Sequence, residues 1–120
     1  MKTIKEYLCA LSVNLGAADK NCKFRRDLYN DRLVLTFFKP EQGKRQCVTS
    51  IQLIIQPDHF KKHAMLVEEI WVGFDAEGCG WSDHMGGRSI DCNGLNRIDA
   101  MTKLVNTIKA DHAELFTKGA

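Results

Sequence analysis

The sequence predicts an α+β protein in which a single antiparallel sheet of about five strands packs against N- and C-terminal helices on one face. Apolar residues recur every three to four positions near each terminus, as in amphipathic helices, and every second position between them, as in strands. The segments between the predicted strands are short, and short connections favour antiparallel pairing because parallel strands need long crossovers. We expect one domain over residues 1–120.

The first element is predicted to be a helix of about three turns. Thr3 and Glu6 form an S/T-x-x-E capping box, which satisfies free backbone N–H groups at a helix start. Gly16 provides a residue that adopts a left-handed conformation easily and so ends the helix. The apolar positions that define its inner face are Ile4, Tyr7, Leu8, Leu11 and Leu15.

A β-hairpin is predicted next, from strands over residues 23–29 and 32–39. The two residues between them, Asn30 and Asp31, tolerate the positive φ of a tight turn. Leu33, Leu35 and Phe37 share one face of the second strand, and Val34, Thr36 and Phe38 share the other. A strand that is apolar on both faces is either central or covered on its second face.

The middle of the chain contains the strongest predicted strand, over residues 47–56, which is rich in β-branched side chains. A turn at 40–44 precedes it. After the strand, Asp58 is suited to cap a short helix in which Phe60, Ala64 and Val67 face inward. A strand over residues 69–74 follows, although the boundary between that helix and the strand is ambiguous.

The remaining elements are predicted to be two short strands and a second terminal helix. Strands at 80–84 and 88–92 flank a tight reversal at Gly86 and Gly87. Asn96 and Asp99 form a capping pair for the last helix. His112, beside the apolar stripe of that helix, is predicted to be an edge-of-core histidine. The apolar face consists of Ile98, Met101, Leu104, Val105, Ile108 and Leu115.

Composition excludes disordered and membrane-spanning classes. Of the 120 residues, 44% are hydrophobic and 27% are charged, as in ordinary globular proteins. No apolar run approaches the ~20 residues of a transmembrane helix, and the N-terminus lacks the pattern of a secretory signal. Five cysteines, an odd number, argue against a disulfide framework. We therefore expect a cytoplasmic protein with reduced thiols and no membrane partner.

The leading functional hypothesis is a small non-enzymatic binding or interaction module, whose partner is another protein or a second copy in a homodimer. It rests on the strands that are apolar on both faces and on the lack of a convincing catalytic set. Phe38, Trp71 and Trp81 are expected on the sheet face away from the helices. Exposed aromatic side chains there favour a partner.

An alternative is binding of nucleic acid or of an acidic partner through residues 20–45. This region contains eight basic and three acidic residues. Arg25, Arg26 and Arg32 are the candidate contacts, and the alternating strand positions Lys23 and Arg25 would project from one face, where they could follow a row of phosphates. The competing interpretation is that these are solvated charges which protect an edge strand from aggregation.

A second alternative is a metal- or thiol-dependent enzyme. His59 and His63 have the i, i+4 spacing with which a helix chelates one metal ion, but Phe60 replaces the glutamate of an H-E-x-x-H site. Cys79 and His84 have the residue types of a nucleophile and a base. Solvent-facing histidines and an ordinary turn and strand explain the same residues, so the sequence indicates no cofactor.

Overall fold

The computed structural model describes residues 3–16, 23–29, 31–38 and 47–116. The elements are α1 (Ile4–Leu15), β1 (Lys23–Tyr29), β2 (Arg32–Phe38), β3 (Cys47–Pro57), β4 (Ala64–Phe74), β5 (Gly80–Asp91), α2 (Arg97–Asp111) and α3 (Ala113–Phe116). The five strands form one antiparallel sheet in the order β1-β2-β3-β4-β5. The predicted fold class is therefore confirmed. The predicted turn at 40–44 lies outside the described residues.

Both terminal helices begin as their sequences predict, and α1 also ends as predicted, whereas the C-terminal helix is interrupted at His112, so that Leu115 lies in α3. Thr3 Oγ1 accepts a hydrogen bond from the Glu6 backbone N–H at 3.1 Å, and Gly16 ends α1 with φ of 78°. At α2, Asn96 Oδ1 accepts from the Asp99 backbone N–H at 2.8 Å. The caps satisfy N–H groups that a helix start leaves without partners.

The core lies between the helices and one face of the sheet, which we call the helix-covered face. Its β2 residues are Leu33, Leu35 and Phe37, as the alternation predicts. Phe37 also meets the ring of Phe116 edge to face, with centroids 5.3 Å apart. The other buried members of this core include Leu8, Leu11, Leu15, Ile51, Leu53, Ile55, Met65, Val67, Ile90, Leu104, Ile108 and Leu115.

The predicted short helix after Asp58 is wrong. Asp58 Oδ1 accepts from the Phe60 backbone N–H at 2.9 Å in a turn, and the Asp58 N–H donates to the Ala64 carbonyl at 2.9 Å. This turn joins β3 directly to β4, which begins at Ala64. The spacing of Ala64 and Val67 is compatible with a helix, but the backbone groups of β3 need a partner strand. Phe60 is fully exposed, with a relative accessibility of 101%.

The predicted reversal at Gly86 and Gly87 is also wrong, because β5 is one strand of 12 residues. The register passes from Glu69 opposite Gly86 to Ile70 opposite His84, so Met85 is an extra residue in a β-bulge. A Cβ atom on Gly87 would lie 3.1 Å from the Val67 carbonyl oxygen. The glycine therefore permits close approach of two strands.

One residue of the predicted apolar face of α2 is misplaced. Ile98 is 78% exposed, whereas Ala100, Leu104 and Ile108 are buried. These three residues recur at intervals of four and define the inner side of the helix. Ile98 precedes Ala100 by two positions, which corresponds to about 200° around the helix axis.

None of the helices in the described part of the chain combines the length and apolar composition that crossing a bilayer requires.

Candidate functional site

The sheet face opposite the described helices, which we call the open face, carries an apolar stripe. The register places Val34 beside Ile54, and Ile70 and Val72 lie on the neighbouring strand. Phe38, near the end of β2, is 39% exposed. The open face consists of Arg25, Asp27, Arg32, Val34, Thr36, Phe38, Ser50, Gln52, Ile54, Gln56, Leu66, Glu68, Ile70, Val72, Phe74, Ser82 and His84.

The composition of the open face is unusual for a sheet surface in water. Antiparallel sheets that pack helices on one side commonly have polar side chains on the other. Here Ile54, Ile70 and Val72 are half-buried, and Phe74 is 50% exposed. Ser50 and Thr36, which lie between the apolar residues, are buried.

Charged groups flank the stripe at its two margins. At the β1 margin, Arg25 is exposed, and its Nε lies 3.7 Å from Asp27 Oδ1. At the β4–β5 margin, His84 Nε2 lies 3.0 Å from Glu68 Oε2. Arg32 is exposed at the start of β2. The predicted contact residues Arg25, Arg32 and Phe38 therefore share the open face.

Arg26 lies on the other side of the sheet from Arg25. It is opposite Leu35 in the register, and its Nη1 donates to Ser12 Oγ of α1 at 3.2 Å. Successive strand residues point to opposite faces, so Arg25 and Arg26 cannot both contact a partner bound on one face. The basic residues Lys20, Lys39, Lys44 and Arg45 lie outside the described residues.

Trp71 and Trp81 lie on the helix-covered face, contrary to the expected placement. Trp71 is opposite the core residue Ile51, and Trp81 is opposite Gly73. The Trp71 indole N–H donates to Glu69 Oε2 at 2.7 Å. The Trp81 indole nitrogen is buried without a hydrogen-bond partner among the described residues. The exposed aromatic residues on the open face are instead Phe38 and Phe74, within the described part of the chain.

Glu69 is a polar residue on the helix-covered face that the sequence interpretation missed. Its Oε1 lies 2.7 Å from Nδ1 of His112, at the C-terminus of α2. Because a carboxylate oxygen accepts, the imidazole donates from Nδ1. A signal was present: Glu68 and Glu69 are consecutive in a strand, so one of them had to face the helices. His112 is mostly buried, as an edge-of-core histidine should be.

The residues of the hypothetical metal site do not share a helix. His59 and His63 lie in the turn between β3 and β4, and His63 has a positive φ of 59°. His59 Nε2 is 3.8 Å from Asp31 Oδ2. Across residues 3–16, 23–29, 31–38 and 47–116, no group of three or more His, Cys, Asp or Glu side chains is placed to hold a metal ion. The spacing that suggested chelation therefore has no helical basis.

Cys79 and His84 occupy separate local structures. Cys79 is exposed in the turn between β4 and β5, where its backbone N–H donates to Asp75 Oδ1 at 2.8 Å. His84 contacts Glu68 on the open face. Among the contacts of the described residues, none joins the thiol to the imidazole.

A cleft of about 350 Å³ opens at the end of the sheet where α1 and α2 begin. Tyr7 of α1 and Cys92, just after β5, line it. Burial raises the pKa of both groups above the ordinary range, and the proximity of Cys92 adds to the effect on Tyr7. Both groups are therefore neutral near pH 7. The residues that line the cleft are Ile4, Tyr7, Pro57, Asp58, Lys61, Lys62, His63, Ala64, Met65, Cys92, Leu95, Arg97, Ala100 and Leu104.

Comparisons of this chain with protein-family models, with curated proteins and with solved structures found no match.

Proposed function

We propose that this protein is a non-enzymatic interaction module that associates with a second copy of itself through the open face. The observation that carries the proposal is the stripe of the partly exposed Ile54, Ile70 and Val72, beside the buried Val34, on a sheet face that no described helix covers. Apolar burial is the main driving force of association, at roughly 25 cal/mol per Å². A second sheet stacked on the first would remove this stripe from water and form a β-sandwich.

The size of the open face suits such a dimer. Five strands at ~4.8 Å spacing are roughly 24 Å wide, and seven residues at ~3.4 Å, the length of β2, span a similar distance. The face therefore has a projected area of roughly 570 Å², or about 1,100 Å² for two copies. Specific interfaces bury about 1,000 Å² or more in total.

The charges at the margins favour a second copy over an unrelated partner. In a face-to-face dimer whose twofold axis runs parallel to the strands, β1 of one copy lies over the β4–β5 margin of the other. The register puts Arg25 level with His84, so Arg25 then lies over the partner's contact between His84 and Glu68, and symmetry repeats this arrangement. Opposite charges at the rim select the orientation, while the apolar centre supplies most of the affinity.

The test is sedimentation velocity across a range of concentrations. Wild type is expected to show a monomer–dimer equilibrium, and Ile70→Lys is expected to shift it to monomer because an ammonium would be buried without a partner. Val13→Lys is the matched control, since Val13 is 63% exposed on α1, away from the open face. Circular dichroism checks that each variant is folded. Wild type that remains monomeric at every concentration would exclude this function.

A second candidate function is binding of nucleic acid at the same surface, favoured by the exposure of both Arg25 and Arg32 on the open face. Phosphate contacts release counterions, so affinity for an oligonucleotide should fall steeply as salt increases. Fluorescence anisotropy at several salt concentrations measures the slope. Binding that is insensitive to salt would rule out this candidate.

We place the module in the cytoplasm. Cys9, Cys79 and Cys92, the cysteines whose side chains the structure describes, are free thiols, which is consistent with a reducing compartment.

A further inference from the structure

The cleft between the starts of α1 and α2 combines an apolar floor with a basic rim. Its floor consists of Ile4, Ala64, Met65, Leu95, Ala100 and Leu104. Ile4 and Leu95 are also partly exposed to solvent, at 37% and 40%, so the apolar surface continues to the mouth. With about 350 Å³, the cleft lies at the small end of the ~300–1,000 Å³ typical of ligand pockets.

Basic side chains outnumber acidic ones around this cleft. Lys61, Lys62 and Arg97 line it together with His63, whereas Asp58 is its one acidic lining residue in the described part of the chain. Asp91 lies close enough to Lys61 and His63 to interact with them electrostatically, but it does not line the cleft. The rim therefore has a net positive charge.

The Asp58 carboxylate is held by hydrogen bonds and interacts with Lys61, and its single negative charge reduces the positive charge of the rim without cancelling it. Its Oδ2 accepts from the Ser89 hydroxyl at 2.7 Å, and its Oδ1 accepts from the Phe60 backbone N–H at 2.9 Å. In addition, Ile4 is the first residue of α1 and Arg97 is the first residue of α2. The positive ends of two helix dipoles thus border the cleft.

One polar hydrogen is available among the apolar residues that line the cleft. The Tyr7 hydroxyl lines it and has no partner among the described hydrogen bonds, whereas the Cys92 thiol donates to the Ile90 carbonyl at 3.9 Å. A neutral phenol donates readily to an anionic oxygen. Pockets that recognise small molecules commonly consist of such an apolar wall with a few convergent polar groups.

We propose that this cleft binds a small amphiphilic carboxylate, with its hydrocarbon part on Met65, Ala100 and Leu104 and its carboxylate at the rim beside Lys61 and Lys62. The apolar floor explains why a hydrocarbon part is needed, and the rim explains why the head group is an anion. This site lies apart from the open face and is independent of the proposed dimer.

Calorimetric titration with decanoate below its micelle concentration tests the ligand class. Decanoate is expected to bind one molecule per chain, while inorganic phosphate, which has no hydrocarbon part, and decyltrimethylammonium, which has the opposite charge, are not. Equal binding of the ammonium compound would overturn the charge argument, and equal binding of phosphate would overturn the need for the apolar floor. No binding of decanoate would overturn the proposal outright.

A binding experiment with lipid vesicles distinguishes a free ligand from a lipid surface. Phosphatidylglycerol vesicles present anionic head groups whose acyl chains are held in a bilayer. Binding to these vesicles without binding to monomeric decanoate would contradict the proposal. Binding to decanoate with no binding to vesicles supports it.

The location is tested by alkylation and by matched charge reversals. Decanoate should slow iodoacetamide labelling of Cys92 in the cleft, but not of Cys79 in the distant turn, as read by peptide mass spectrometry. Lys62→Glu should weaken decanoate binding roughly fivefold, because it reverses a charge beside the head group, whereas Lys109→Glu near the other end of α2 should not. Equal protection of the two thiols, or equal loss in the two variants, would place binding elsewhere.

Discussion

Glu69 Oε1 lies 2.7 Å from His112 Nδ1, although the two residues are 43 positions apart in the chain. The second carboxylate oxygen of Glu69 accepts from the Trp71 indole at 2.7 Å. One side chain therefore joins the middle of the sheet to the C-terminus of α2. Both Glu69 and His112 are mostly buried, so this link is shielded from water in a way that a surface ion pair is not.

Glu69→Ala is expected to destabilise the fold by about 1–3 kcal/mol, because it leaves two mostly buried donors without an acceptor. Glu68→Ala is the matched control, since Glu68 lies on the open face and contacts the more exposed His84. Urea unfolding measures the free energy of unfolding of both variants, and tryptophan emission reports the change around Trp71. Equal losses of stability in the two variants would contradict a structural role for the Glu69 link.

Gly87→Ala is expected to destabilise the protein by about 1–3 kcal/mol through overpacking. The new Cβ would lie 3.1 Å from the Val67 carbonyl oxygen, and that backbone atom is held by the sheet. Gly80→Ala on the same strand is the control, because its Cβ would lie 3.8 Å from the Phe74 ring, an ordinary contact. Thermal unfolding of the two variants tests the claim. A stable Gly87→Ala protein would show that β4 and β5 separate easily there.

These glycines illustrate how far the sequence predicts the fold. The terminal helices follow from caps such as Thr3 and Asn96, and the hairpin of β1 and β2 follows from alternation. A glycine pair, however, serves either a turn or a close strand approach, and only the pairing of β5 with β4 decides between them. Likewise the spacing of Ala64 and Val67 suits a helix or a strand.

The candidate sites were harder to predict than the fold. The open face was anticipated because Val34 and Phe38 alternate with the core residues of β2. Trp71 was assigned to the wrong side, since its face depends on the register with β3, whereas alternation along β1 alone separates Arg26 from Arg25. The cleft brings together residues from α1, the β3–β4 turn and α2, and no local pattern encodes such an assembly.

Ser89→Ala should raise the pKa of Asp58 towards its ordinary value of 3.8, because the Ser89 hydroxyl is the largest of the causes that lower it. Since the folded-state pKa is depressed, the associated stability is present above 3.8 and is lost as the pH falls through the lowered value. Titration of the Asp58 carboxyl by NMR measures the shift.

Asp91 is the internal control for that titration. Its pKa is lowered mainly by the backbone N–H of Asn93, which the substitution leaves in place. Equal changes in the pKa of the two carboxyl groups would indicate a general rearrangement and not the loss of one hydrogen bond.

At alkaline pH, deprotonation of Cys92 and Tyr7 should lower the stability of the fold. Burial raises the pKa of Cys92 above 9.0 and that of Tyr7 above 10.0, so the unfolded chain releases these protons first. Stability is therefore full below these values and falls as the pH rises through them. Cys92→Ala should reduce the slope of unfolding free energy against pH above 9.0. A slope that is unchanged in this variant would rule out Cys92 as its source.

The pairing of margins across the proposed dimer is tested most directly by a charge exchange between Arg25 and Glu68, followed by sedimentation velocity. Arg25→Glu and Glu68→Arg are each expected to weaken dimerisation, because each creates two like-charge contacts across the twofold axis. The double variant should recover most of the dimer, since opposite charges face each other again. A double variant that is no more dimeric than either single variant, or single variants that dimerise like wild type, would contradict association through the open face in this orientation.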